Sequence, residues 1–115
     1  MAKSLLFLIF FLLAASNLVT SKAMPGGWAP IKNLTDQHVK ELGAFAVSEH
    51  NKVAKDSLVF VQVVQGDQQV VAGMNYRLVL EAKDAKEVVA KYLAVVWEQP
   101  WTNSTRLTSF NPVSS

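Results

Sequence analysis

The chain of 115 residues has room for one domain with one small core. It has no cysteine, which excludes disulfide staples, thiol catalysis and thiolate metal sites. Its formal charge is only +2, and no basic cluster is interleaved with aromatics, which argues against a nucleic-acid platform.

The first segment is Met1-Ala2-Lys3 followed by an apolar run over 5–15. Eleven apolar residues cannot span a bilayer, which needs about 20. Ser21-Lys22-Ala23 supplies a small-x-small cleavage pattern. Residues 1–23 therefore read as a secretory signal peptide, and 24–115 as a single domain that is secreted, either extracellular or vacuolar. Removing the leader takes away Lys3 and Lys22 and leaves 9 basic against 9 acidic residues. The pI of about 9.0 thus belongs to the whole chain, and the mature form gives no reason to expect a membrane or nucleic-acid partner.

The mature chain opens on Met24-Pro25-Gly26-Gly27-Trp28, an arm with little backbone preference. Trp28-Ala29-Pro30-Ile31 suits a short edge strand, where proline is tolerated. Thr35 or Asp36 can cap a helix over 36–54. Val39, Leu42, Ala46 and Val53 recur at the helical period, and Phe45 widens their stripe. Lys40, Glu41, Glu49 and Lys52 lie off it. From Leu58 onward, β-branched and aromatic residues predict strands over 58–65, 74–82, 88–98 and 107–113. Tyr76, Leu78 and Leu80 alternate with Asn75, Arg77, Val79 and Glu81. Lys83-Asp84-Ala85-Lys86 is a charged turn, and Pro100 interrupts the ladder before the last strand. One helix followed by an antiparallel meander predicts an α+β fold with the helix on one face of the sheet.

Catalytic patterns are not found. Gly-x-Ser-x-Gly and phosphate-cradling glycine loops are absent. His38 and His50 read as ordinary helix residues rather than metal ligands, and no cofactor or metal is expected. Glu41 and Glu49 read as charges on a solvated helix face, so no acid–base pair and no enzyme is expected. What does stand out is apolar material at flexible or turning points: the Gly26-Gly27 arm, the run Gln69-Val70-Val71-Ala72-Gly73, and Pro100-Trp101. Three such places together suggest a discontinuous binding surface. The strongest local turn signal, Gly66-Asp67, competes with this and alone would leave 69–73 inside a strand.

These residues resemble the cystatin family. The run at 69–73 is similar to its Gln-x-Val-x-Gly signature, Pro100-Trp101 to its second-loop pair, and Gly26-Gly27 to its N-terminal glycine. Leu42-Gly43-Ala44-Phe45-Ala46-Val47-Ser48-Glu49-His50-Asn51 resembles the helix signature of the plant branch, with Gly43-Ala44 in place of the usual Ala-Arg. The missing cysteines fit that branch. The chain ends soon after Val113, short of the extension by which some plant relatives are thought to inhibit legumain-type proteases. The resemblance implies a sheet wrapped around one helix and a reversible, tight-binding inhibitor of papain-like cysteine proteases. It implies a protease-binding wedge of Gly26, Gly27, Gln69, Val70, Val71, Ala72, Gly73, Pro100 and Trp101. It also makes 69–73 the first hairpin tip and Gly66-Asp67 a bulge or kink leading to it. The alternative is a non-inhibitory binding or storage protein on the same fold. The expected state is a monomer, with a domain-swapped dimer as the variant, and plant defence is one expected role. Asn33-Leu34-Thr35 and Asn103-Ser104-Thr105 are sequons, so Asn33 and Asn103 are candidate glycan sites; Asn103 is expected to be bare in active protein because Trp101 lies so near.

Overall fold

The computed structural model describes residues 27–114. The expected leader and the stretch 24–26, Gly26 included, lie outside the described residues. The elements are β1 (Ala29–Pro30), α1 (Gln37–Ala54), β2 (Val59–Val70), β3 (Met74–Lys83), β4 (Val89–Gln99) and β5 (Ser104–Pro112). The strands form one antiparallel sheet in the order β1-β2-β3-β4-β5, with α1 packed on one face. This is the expected α+β layout.

Helix α1 begins where Asp36 accepts a hydrogen bond from the His38 amide at 3.1 Å. It ends at Lys55, which turns left-handed and donates its amide to the Asn51 carbonyl. The Asn51 side chain then clamps the next strand: Nδ2 donates to the Leu58 carbonyl at 2.9 Å, and Oδ1 accepts from the Leu58 amide at 3.0 Å. Val39, Leu42, Gly43, Ala46 and Val47 form the buried face. They meet Tyr76, Leu78, Leu80, Ala82, Ala94 and Val96 from the sheet, with Phe45 and Phe60 packed at the margin. Val53 departs from the expected stripe. It is 82% exposed.

Gly43, one of the departures from the plant helix signature, has a tertiary reason. A Cβ there would sit 2.6 Å from Phe60 Cε1 and 3.0 Å from Val63 Cγ2. The glycine gives up about 1 kcal/mol of helix propensity. In return it avoids overpacking, which typically costs about 1–3 kcal/mol. Ala44 is exposed, so its missing charge belongs to the surface.

Strand β2 corrects a second expectation. It runs through Gly66 and Asp67 without a break, and the register there is regular, Gly66 opposite Leu78 and Asp67 opposite Arg77. The irregularities lie upstream, between Phe60 and Gln62 and between Val63 and Gln65. Bulges of this kind bend a strand and raise its twist. Gly66 is a glycine for packing. A Cβ would lie 2.9 Å from Ile31 Cδ1 and 3.1 Å from Leu78 Cδ2, where the chain leaving β1 crosses the sheet. Pro30 sits in the two-residue edge strand β1, and Ile31 resumes bonding with its amide on the Gly66 carbonyl at 3.0 Å.

Candidate functional site

The last pair of the β2–β3 ladder is Val70 opposite Met74, so residues 71–73 form the hairpin tip. This tip falls within the 69–73 implied by the family resemblance, with Gln69 and Val70 still paired in β2, and not at the local turn signal Gly66-Asp67. Ala72 has φ 44° and Gly73 has φ 113°, two consecutive residues in the region that side chains disfavour. One bond closes the loop internally, from the Val71 amide to the Gly73 carbonyl at 3.1 Å. Val70 is 66% exposed at its base.

Strand β4 lies against this tip and leads into the second loop. Pro100–Thr102 form a single 3-10 turn, and Asn103 closes it in a left-handed conformation. Trp101 is 63% exposed. A Cβ built on Gly73 would collide with the Glu98 carbonyl oxygen and come within 3.4 Å of Trp101 Cη2. Glycine at 73 is therefore needed so that the first tip can lie against the start of the second loop. Val70 to Gly73, Pro100 and Trp101 thus share one edge of the molecule. Gln69 stands just behind it, with its Oε1 accepting from Asn75 Nδ2 at 3.2 Å.

Below the second loop, Glu98 ties three elements together. His38 Nε2 on α1 lies 3.0 and 3.1 Å from its two carboxylate oxygens. The Tyr76 hydroxyl also bonds Glu98. Burial first, and then the Glu98 charge and hydrogen bond, push the Tyr76 phenol up to about 12.

Gly27 and Trp28 are half-buried, and the Arg77 guanidinium stacks 4.1 Å from the centre of the Trp28 ring. Arg77 Nη2 also donates to Asp67 Oδ2 at 3.2 Å. Sequence reasoning missed this arrangement, because it treated Asp67 as part of a turn or bulge. It also missed Trp97. The indole Nε1 of Trp97 donates to the Ala72 carbonyl at 3.2 Å, reaching the first tip from β4. A signal was available: Ala94 and Val96 face the core, so the alternation turns Trp97 to the open face, where an indole N–H needs a partner. Both sequon asparagines are exposed, and Asn33 Oδ1 accepts from the Thr35 hydroxyl at 2.8 Å.

A family model described as aspartic acid proteinase inhibitor matches residues 31–113. Cysteine proteinase inhibitor 8 of Oryza sativa subsp. japonica is 51% identical over 90 residues, covering 78% of this chain and 73% of the relative. Cysteine proteinase inhibitor 1 of Actinidia chinensis var. chinensis is 56% identical over 88 residues, covering 76% and 75%. The chain belongs to the plant cystatins. Among solved structures, the salivary cystatin of the soft tick Ornithodoros moubata superposes with a TM-score of 0.69 at 28% identity, covering 79% of this chain and all of that one. Dimeric human cystatin F, at 17% identity and a TM-score of 0.65, shares the fold. As a plant cystatin the protein is a member of an inhibitor family and not an enzyme.

Proposed function

We propose that this cystatin inhibits papain-like cysteine proteases by occlusion. The observation that carries the proposal is the juxtaposition of the 71–73 tip with Trp101 on one exposed edge, in a chain about half identical to proteins named cysteine proteinase inhibitors. A protease cleft takes the tip, Trp101 docks as a rigid aromatic anchor on one side, and the arm at Gly26-Gly27 reaches the subsites on the other. With Ala72 at φ 44° and Gly73 at φ 113°, the tip backbone is not extended. It therefore enters the cleft without presenting a peptide bond in a cleavable pose. The rigid sheet holds both loops in place before docking, so little entropy is lost on association. A buried tryptophan anchor contributes on the order of 2 kcal/mol, roughly 30-fold in affinity.

The description attached to the matching family model favours a second reading, inhibition of aspartic proteases through the same fold. Titrating the protein against papain and pepsin in parallel separates the two. Sub-micromolar inhibition of papain alone is the expected result. Inhibition of pepsin alone would replace the first reading by the second, and inhibition of neither would favour a storage or binding role. Secretion is proposed alongside. Expression with the native leader should release a chain beginning at Met24, read by N-terminal sequencing. Asn103 should be unglycosylated in that active material, read by mass spectrometry.

A further inference from the structure

We infer that Trp97 is a positioning residue for the first hairpin tip, and that its indole N–H holds the 71–73 loop in its inhibitory shape. This rests on the occlusion reading above. The loop has little holding it from within: beyond Val70 and Met74 the ladder has ended, and the Val71 to Gly73 bond is the internal one. Yet Ala72 is held at φ 44°, a conformation that a residue with a Cβ leaves readily when nothing retains it. The Ala72 carbonyl is retained by Trp97 Nε1 at 3.2 Å. Trp97 is well placed to do this. It stands opposite Asn75 on β4, on the face away from the helix, one residue before the Glu98 carbonyl that packs against Gly73. The tip is therefore held at the Ala72 carbonyl by Trp97 and lies against the Glu98 carbonyl at the next residue. The strand that holds it runs directly into Pro100 and Trp101, so the spacing between the two prongs is set at the end of β4.

The test uses the mature protein and Trp97→Phe, which keeps a ring on the open face and removes the donor. Papain inhibition should weaken roughly fivefold to tenfold, the worth of one neutral hydrogen bond, with the thermal midpoint little changed. The decisive arm is Ala72→Asn, because asparagine takes the left-handed region more readily than alanine. In that background the Trp97→Phe loss should shrink to about twofold or less. Equal losses in both backgrounds would overturn the inference, by making Trp97 a plain protease contact. Unchanged inhibition by Trp97→Phe, with the parent inhibiting normally, would overturn it too. A direct readout is independent of any protease: the Trp97 indole proton should exchange slowly in the free protein, and Trp97→Phe should shift the amide resonances of 71–73. A fast-exchanging indole with unmoved tip amides sinks the inference even if the parent proves not to inhibit papain. That last result would sink the occlusion reading separately.

Discussion

Two turns of the same sheet are built on opposite principles. The β3–β4 turn at 84–88 holds itself together. The Asp84 carboxylate accepts from the Lys86 amide at 2.8 Å and the Val88 amide at 3.0 Å. The Asp84 amide donates to the Val88 carbonyl at 3.0 Å, and Glu87 closes the turn onto the Asp84 carbonyl at 2.9 Å. Every one of these partners lies within four residues. The β2–β3 tip at 71–73 has apolar side chains and a strained backbone; it borrows a hydrogen bond from Trp97 on another strand and lies against the Glu98 carbonyl there. A self-satisfied turn can be changed without disturbing the far end of the sheet. A borrowed one couples two loops, and a surface meant to enter a rigid cleft gains from that coupling.

The largest expected effect tests the borrowed turn. Gly73→Val places a branched side chain at φ 113° and against the Glu98 carbonyl. Strain of up to about 3 kcal/mol should weaken papain inhibition on the order of 100-fold. Stability lost with inhibition intact, measured on the same folded sample, would make 69–73 an ordinary packing element. Next is Trp101→Ala. Because the side chain is 63% exposed, the melting temperature should hold while dissociation from papain accelerates about 30-fold. An unchanged inhibition constant removes Trp101 from the interface. The self-contained turn should behave in the opposite way. Asp84→Ala deletes the acceptor of two amides and should cost about 1 kcal/mol, a drop of roughly 4–8 °C in melting temperature, with inhibition unaffected. Weakened inhibition there would break the contrast between the turns.

The smallest effect concerns the other local turn at that end of the chain order, where α1 passes into β2. The hydrogen bond from His50 Nε2 to Asp56 Oδ2 at 3.1 Å, and then the Ser57 amide on Oδ1, hold the Asp56 carboxyl below its ordinary value of 3.8. A lowered value in the fold means that this contribution is present above the unfolded value and fades as pH falls through the folded one. Asp56→Asn should therefore lower the melting temperature slightly in the neutral region and leave the acid end alone, so that the acid limb of a melting-temperature-against-pH curve is flatter. A steeper acid limb would contradict the sign.

The difference between the two turns also marks what could be read without coordinates. Asp84 and its neighbours are a turn in any context, because the groups that satisfy them are adjacent in the chain. The helix was legible for a similar reason: Asp36 caps it, and Val39, Leu42 and Ala46 keep its period. Val53 kept the same period and is exposed, since periodicity reports the face of a helix and not what packs against it. Gly66-Asp67 has the composition of a turn and lies in mid-strand. Its glycine makes room for Ile31 and its aspartate pairs with Arg77, both contributed by other segments.

The sequence by itself determined the helix, the alternation of β3, the charged turn and, through its motifs, the family. Those follow from spacing and from bonds between near neighbours. Tertiary structure decided where the glycines are needed, where β2 bulges and what holds the apolar tip. Gly43 answers to Phe60, Gly73 to Glu98 and the Ala72 carbonyl to Trp97, and none of these partners can be named until the strands are paired. Local chemistry favoured a turn at 66–67, but the register of β2 on β3 places it at 71–73, where support from β4 offsets the strain.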